Sequence, residues 1–135
     1  MSTRIFVNLP VKDLDKSKEF FGKLGYSFNA QFTDANAACL VISDTIYSML
    51  LTHKTWNELV PKPPADTSKG SEVSIALTME NRAAVDEMVR KAVAAGGKTL
   101  KAPMDMGFMY QHGFQDLDGH LWEVFYMDPT HVQPT

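Results

Sequence analysis

The stretch DLDGHLWEVFY, residues 116–126, begins as a turn and continues as a strand. If side chains alternate after Gly119, one face of the strand carries Leu121, Glu123 and Phe125, and the other carries His120, Trp122, Val124 and Tyr126. Both faces are largely apolar, which is typical of a strand that is covered on both sides. A carboxylate on such a strand is costly unless it meets a partner. Glu123 is therefore the first candidate for a functional residue.

The segment that precedes this strand has the order of a βαβββ module. The run EVSIALTM, residues 72–79, alternates as a strand, and Asn81 then offers an N-cap to a helix. The pair Gly96-Gly97 ends that helix. Three β-rich runs follow, and they read KTLKAPM, GFMYQHGFQ and HLWEVFYM.

The first half of the chain repeats that order. The run RIFVNLPV, residues 4–11, alternates as a strand, and Asp13 offers the N-cap of a helix that ends at Gly25. Three further β-rich runs come next, and they read YSFNAQFT, AACLVIS and TIYSMLLT. The repeat is one of architecture rather than of sequence identity.

The two repeats predict an α+β fold of two βαβββ modules, residues 1–60 and 72–135. Residues 61–71, rich in proline and small polar residues, are predicted to be a linker. Neither half can bury both faces of its sheet alone, so together they form one structural domain. We expect each helix to cover the outer face of a largely antiparallel, mixed sheet. The inner faces then form a cup, into which Glu123 points.

The composition limits the partners of this protein. Its 135 residues carry a formal net charge of −3, with no long run of like charge, so neither nucleic acid nor an anionic membrane is an expected partner. The first residues, MSTRIFVNLP, lack the apolar core of a signal peptide, and Cys39 is the single cysteine. We therefore expect a cytoplasmic protein whose partners are a small molecule and a second copy of the chain.

Two motifs carry a family resemblance. The run LPVKDLDKSKEFFGKLGY, residues 9–26, followed about a hundred residues later by DLDGHLWEVFY, resembles the vicinal oxygen chelate superfamily. That group contains glyoxalase I, the bleomycin-resistance proteins and the extradiol dioxygenases. The resemblance implies paired βαβββ modules, often assembled as a homodimer, with a metal ion in the cup of the enzymatic members. It does not fix the reaction, because one fold hosts many functions.

The resemblance also implies where metal ligands would lie. The ligand positions of the first strands fall on Phe6 and Ser74, and those of the last strands fall near Met49 and on Glu123. Only Glu123 suits a divalent ion, since phenylalanine has no donor atom, a serine hydroxyl is a poor ligand and methionine sulfur prefers soft metals. We therefore expect no cofactor and no conventional metal site, although a divalent metal stays open.

A second side chain is predicted to face Glu123. If DLDG is a four-residue turn, Gln115 pairs with His120 and His112 falls opposite Glu123. Such a pair can be part of a metal site, a general acid and base, or a neutralised buried couple. The predicted catalytic residues are therefore Glu123 and His112, and the predicted substrate-binding residues are Phe6, Asn8, Ser74, Tyr110, Met104 and Met106.

Three functions agree with these residues. The first is a metal-free protein that binds a small, partly aromatic or cationic compound in the cup, as bleomycin-resistance relatives do. The second is a metal-dependent lyase or dioxygenase of the glyoxalase I or extradiol dioxygenase type. The third is a metal-free enzyme in which Glu123 and His112 transfer a proton. The missing ligands favour the first, and whether the protein is an enzyme is left open.

Overall fold

A computed structural model describes residues 2–130. The chain divides into two compact units, Met1–Gly70 and Ser71–Thr135. Each unit is built around one four-stranded sheet.

The first unit contains a βαβββ module and one additional helix. Its elements are β1 (Ile5–Val11), α1 (Leu14–Lys23), β2 (Ser27–Phe28), a 3-10 turn (Ala30–Phe32), β3 (Ala37–Val41), β4 (Ile46–Thr52) and α2 (His53–Leu59). The strand order is β1-β4-β3-β2, in which β1 and β4 are parallel and the other neighbours are antiparallel.

Helix α1 begins and ends where the sequence predicts. The Asp13 side chain accepts a hydrogen bond from the Lys16 backbone N–H at 3.1 Å, which satisfies one of the free donors of the first turn. Its apolar stripe includes Phe20 and Phe21, which are buried, and the helix contacts β3 and β4. Gly25 follows with φ of 101°, a conformation that favours glycine.

The second unit repeats the module. Its elements are β5 (Ser74–Thr78), α3 (Arg82–Ala94), β6 (Met104–Asp105), β7 (Met109–Gln115) and β8 (Leu121–Met127), in the strand order β5-β8-β7-β6. Strands β5 and β8 are parallel. Strand β7 is antiparallel to both of its neighbours, β8 and β6. The Asn81 side chain caps α3 by accepting from the Ala84 N–H at 2.7 Å.

The core of the second unit lies between α3 and its sheet. Val85, Val89 and Ala92 of α3 are buried, as are Trp122 and Val124 of β8, and α3 contacts both β7 and β8. Burial of Trp122 and Val124 leaves Glu123 on the other face, as alternation requires. We call that other face, opposite α3, the far face of the second sheet.

The predicted α+β fold of two βαβββ modules is confirmed, and the structure corrects some of its elements. The run YSFNAQFT forms only the two-residue strand β2 before the 3-10 turn. The run KTLKAPM forms one isolated bridge, between Lys98 and Gln115, before β6 begins at Met104. Helix α2 is absent from the prediction, because its seven residues are too few to show a periodic apolar face.

The structure describes none of the residues after 130. Among residues 2–130, no helix has both the length and the apolar character that a membrane span requires.

Candidate functional site

The turn between β7 and β8 is built around a buried carboxylate. One oxygen of Asp116, Oδ1, accepts hydrogen bonds from the backbone N–H groups of Asp118 at 2.9 Å and His120 at 3.0 Å. The other oxygen, Oδ2, accepts from the Trp122 indole Nε1–H at 3.0 Å. Only 5% of Asp116 is exposed. Burial raises the pKa of this carboxyl, and the charge of His120 and the hydrogen bonds from Trp122 and the turn oppose that rise.

This turn has three residues rather than the predicted four. The Asp116 N–H donates to the His120 carbonyl at 3.0 Å, so these two residues close the hairpin. Gly119 takes a φ of 86°, as the last residue of a three-residue hairpin loop commonly does. The predicted pairing of Gln115 with His120 is therefore wrong, because Gln115 pairs with Leu121.

The shift of one residue moves His112 away from Glu123. His112 lies opposite Val124, and Gly113 lies opposite Glu123. Because side chains alternate along a strand, the prediction that His112 and Glu123 share a face is wrong. His112 Nε2 lies 3.1 Å from the Lys101 carbonyl oxygen, so this ring ties the segment before β6 to β7.

Tyr110 lies on the same face as His112. Its hydroxyl donates to Asp86 Oδ1 of α3 at 2.6 Å, and the Arg82 guanidinium lies 5.3 Å from the centre of its ring. The hydrogen bond to Asp86 raises the pKa of Tyr110, and burial adds to that shift. Tyr110 therefore joins β7 to α3 rather than facing the far side of the sheet.

Glu123 lies on the far face between two small residues. Ala76 of β5 is its neighbour on one side, and Gly113 of β7 is its neighbour on the other. The residue is exposed. Within residues 2–130, its carboxylate accepts no hydrogen bond and forms no ion pair.

A pocket of about 210 Å³ lies next to Glu123, and all of its lining residues belong to the second unit. Half of these residues are apolar and five carry polar side chains, but most of the surface that lines the pocket is apolar. The lining residues are Ser74, Leu100, Lys101, Ala102, Met104, Gln111, His112, Gly113, Phe114, Leu121, Trp122 and Glu123. A mostly apolar concavity with a few polar groups is the usual form of a small-molecule site.

Four of the predicted site residues line this pocket: Ser74, Met104, His112 and Glu123. Tyr110 and Met106 do not line it. Phe6 and Asn8 belong to the first unit, where Phe6 stacks on Tyr47 with ring centres 4.7 Å apart and Asn8 pairs with Met49. The functional roles predicted for all of these residues stay predictions.

The predicted site residues do not include Gln111 and Lys101, which line the pocket. The predicted register places Gln111 on the face opposite Glu123, whereas Gln111 pairs with Phe125 and shares the face of Glu123. Two signals in the sequence point to the true geometry. One is the glycine in the middle of GFMYQHGFQ, and the other is an aspartate that starts the turn, a position from which its side chain can bond to the backbone ahead.

The residues at the implied metal positions do not fit a divalent ion. Ser74 and Glu123 lie on the far face, but Ala76 and Gly113, the residues beside Glu123, supply no side-chain donor. No cluster of three or more His, Cys, Asp or Glu side chains that could hold a metal exists in the part of the chain from residue 2 to residue 130.

Comparison with known proteins places this fold. A family model described as the Glyoxalase/Bleomycin resistance protein/Dioxygenase superfamily matches residues 5–124, which is most of the chain. The chain belongs to this superfamily. None of the curated proteins matches the sequence significantly.

Solved structures agree with this family assignment. A hypothetical protein from S. aureus is 27% identical with a TM-score of 0.78, over 93% of this chain and 94% of that one. A glyoxalase/bleomycin resistance protein/dioxygenase family enzyme from Burkholderia phytofirmans is 18% identical with a TM-score of 0.80, over 93% and 99% of the two chains. A bleomycin resistance determinant encoded on the transposon Tn5 is 21% identical with a TM-score of 0.66, over 94% and 99%. The last two similarities concern the fold alone.

Proposed function

We propose that this member of the superfamily binds a small organic molecule in the pocket of its second module, with Glu123 as the polar anchor and without the usual four-ligand metal site. The observation that carries the proposal is the Glu123 carboxylate, which borders a mostly apolar pocket and has no partner among residues 2–130. Asp116, the buried carboxylate of the same hairpin, is by contrast hydrogen-bonded within the protein through both of its oxygens, so Glu123 stays available to a ligand.

The lining indicates a ligand with an apolar body and a hydrogen-bond donor. Leu121 and Met104 supply apolar contact surface, and Glu123 supplies the acceptor. An ionised carboxylate can only accept, so the group that it meets must donate. Displacing water from the apolar part of the pocket favours binding by roughly 25 cal/mol of free energy per Å² of apolar surface that the complex buries.

Proton transfer by Glu123 and His112 without a metal is supported less well, although both residues line the pocket. Their side chains lie on opposite faces of the sheet, and His112 Nε2 contacts the Lys101 carbonyl oxygen. This geometry favours ligand binding over proton transfer between the two residues.

The proposal is tested by a fragment screen followed by NMR. The wild-type protein, labelled with ¹⁵N, is titrated with a library of small aromatic and heteroaromatic compounds. We expect bound compounds to shift the amide signals of Gly113 and Glu123 and to leave those of β1 unchanged. If no compound in the library shifts the amide signals of Gly113 or Glu123, the proposal is contradicted.

The metal content is a separate prediction. Because only one of the implied ligand positions, Glu123, carries a side chain that suits a divalent ion, we expect far less than one metal ion per chain after purification without an affinity tag and incubation with Ni, Zn, Mn or Fe salts. Elemental analysis after gel filtration measures this ratio. One tightly bound metal ion per chain would instead support a metal-dependent lyase or dioxygenase.

We also propose that the protein is a homodimer. Several large apolar side chains are exposed, among them Ile5, Phe6, Phe32 and Leu100. Exposed apolar groups of this size are typical of interfaces when they form a contiguous patch. Sedimentation equilibrium at micromolar concentration should give twice the mass of one chain, and the mass of a single chain would overturn this proposal.

A further inference from the structure

The second sheet opens at one edge, beside the pocket. Two backbone hydrogen bonds, of 3.1 and 2.7 Å, join Lys98 to Gln115 of β7. Further along the same edge, Met104 of β6 pairs with Gln111 of β7. Between these two pairs, five residues (99–103) run beside only three residues of β7, so the longer segment must bow away from the strand. We call residues 99–103 the strap.

The pocket lies between the strap and β7. Residues from both sides of this gap line it, namely Leu100, Lys101 and Ala102 from the strap and His112, Gly113 and Phe114 from β7. The Lys101 carbonyl accepts a hydrogen bond from the His112 ring, whose Nε2 lies 3.1 Å away. Within residues 2–130, this is the only hydrogen bond that joins the strap to β7.

The gap leaves the backbone of Gly113 without a partner. In an antiparallel sheet, the N–H and C=O groups of every second residue point to the same neighbouring strand. Both groups of Gln115 bond to Lys98, so those of Gly113, two residues earlier, also point away from β8 and toward the strap. Neither group of Gly113 has a hydrogen-bond partner among residues 2–130. A half-buried N–H and C=O of this kind normally bond to water or to a ligand.

We infer that the Gly113 backbone is a hydrogen-bonding subsite, and that the ligand of the pocket carries one extended amino acid unit with both of its amide groups, as in an N-acyl amino acid amide. This inference rests on the proposed function, because it names the ligand class of the same pocket. The N–H and C=O of such a unit would exchange two hydrogen bonds with Gly113, as a residue of an added antiparallel strand does.

The length of the gap limits the ligand to one unit. The pairs at Gln111 and Gln115 lie about 14 Å apart, since each residue of a strand spans about 3.4 Å. One amino acid unit with its two end groups spans about 10 Å on the same scale. A longer peptide strand would meet Lys98 or Met104, which already occupy the edge of β7.

The charges in the pocket agree with a neutral ligand that both donates and accepts. Lys101 and Glu123 line the same pocket with opposite charges, and they form no ion pair with each other. The pocket therefore favours neither a cation nor an anion by its charge alone. A diamide has a second N–H group, which can donate to the Glu123 carboxylate while the amino acid unit bonds to Gly113.

Hydrogen exchange of the free protein tests the open edge without any ligand. We expect the Gly113 amide to exchange on the order of a hundredfold faster than the Gln115 amide, because only the second donates within the protein, to Lys98 at 2.7 Å. Two-dimensional NMR after transfer to D₂O measures both rates. Equal protection of the two amides would overturn the inference.

Two matched probes test the ligand class by NMR titration. The first is N-acetyl-leucine N′-methylamide, and the second is the same compound methylated on the leucine nitrogen, which cannot donate to the Gly113 carbonyl. We expect the first to bind on the order of tenfold more tightly. It should also move the Gly113 amide proton signal downfield and slow its exchange. Equal affinity of the two probes would overturn the inference.

A shortened strap tests the gap itself. Deletion of Leu100 and Lys101 leaves three residues on each side, so that Ala102 comes opposite Gly113 and completes the ladder. In this variant we expect a protected Gly113 amide and no binding of N-acetyl-leucine N′-methylamide. The control is Leu100→Ser/Lys101→Ser, which removes the same side chains but keeps the length of the strap, and its Gly113 amide should still exchange fast.

The outcomes separate this inference from the function on which it rests. Unchanged binding of the first probe in a folded deletion variant would overturn the subsite, and if that variant does not fold, the exchange rates and the two probes decide. Failure of the first probe to bind the wild type, while other fragments shift the Glu123 amide, would overturn the ligand class and leave the proposed function intact. A screen in which no compound shifts the Gly113 or Glu123 amide would overturn both.

Discussion

Replacing Asp116 with asparagine is expected to lower the free energy of unfolding by about 1–3 kcal/mol, the usual cost of an unmatched buried hydrogen-bonding group. The asparagine oxygen can still accept from the N–H groups of Asp118 and His120. Its NH₂ group then faces the Trp122 indole N–H, so two donors meet where a donor and an acceptor met before. Urea denaturation followed by circular dichroism measures the loss.

Two further variants serve as controls for Asp116→Asn. Glu72→Gln removes a carboxylate from an exposed residue of the same unit and should change stability little. Trp122→Phe removes the indole N–H, so the double variant Asp116→Asn/Trp122→Phe should lose less stability than the two single losses added together. Additive losses would show that the hydrogen bond between Asp116 and Trp122 contributes nothing specific.

The same carboxyl should give the stability a pH dependence. Burial raises the pKa of Asp116 in the folded state above its ordinary value, so the folded protein holds this proton more tightly than the unfolded chain does. Its contribution is fully present below the ordinary pKa of about 3.9 and is lost as the pH rises through the raised folded pKa. The difference in stability between the wild type and Asp116→Asn should change across that window. A difference that is constant with pH would contradict the assignment.

Replacing Glu123 is expected to have the largest effect on binding and almost none on stability. The carboxylate is exposed and has no partner within residues 2–130, so Glu123→Gln should change the free energy of unfolding by no more than about 0.5 kcal/mol. Glu123→Leu should be equally well tolerated, because it leaves no charged partner unpaired. Both variants should lose affinity for any fragment that binds through the carboxylate. A stability loss as large as that of Asp116→Asn would show a structural role instead.

Much of the fold follows from local signals in the sequence. The N-caps at Asp13 and Asn81 and the glycine at position 25 mark helix ends through short-range chemistry that the structure reproduces. The alternation of side chains along β8 likewise predicts that Glu123 lies on the face opposite α3, where the structure has it next to Ala76. Such features depend on few residues and are therefore readable without the rest of the molecule.

The prediction of the site depends on the length of the loop between β7 and β8, which the sequence does not fix. DLDG can close a loop of three or of four residues, and the choice decides which side chains of β7 share a face with Glu123. The choice is made by the Asp116 carboxylate, whose bonds to the turn and to Trp122 fix the loop from within the fold. The buried carboxylate of this stretch is therefore Asp116, whereas Glu123 is exposed beside a pocket.

A ligand site at Glu123 is tested most directly by comparing one dissociation constant between two proteins of equal stability. The tightest fragment from the NMR screen that carries a hydrogen-bond donor is titrated into the wild type and into Glu123→Gln, with the Gly113 amide as the reporter. We predict that the dissociation constant rises on the order of tenfold or more, as expected for a lost charge-assisted hydrogen bond, while the melting curves coincide. An unchanged dissociation constant would contradict the claim that Glu123 is the anchor of a ligand site.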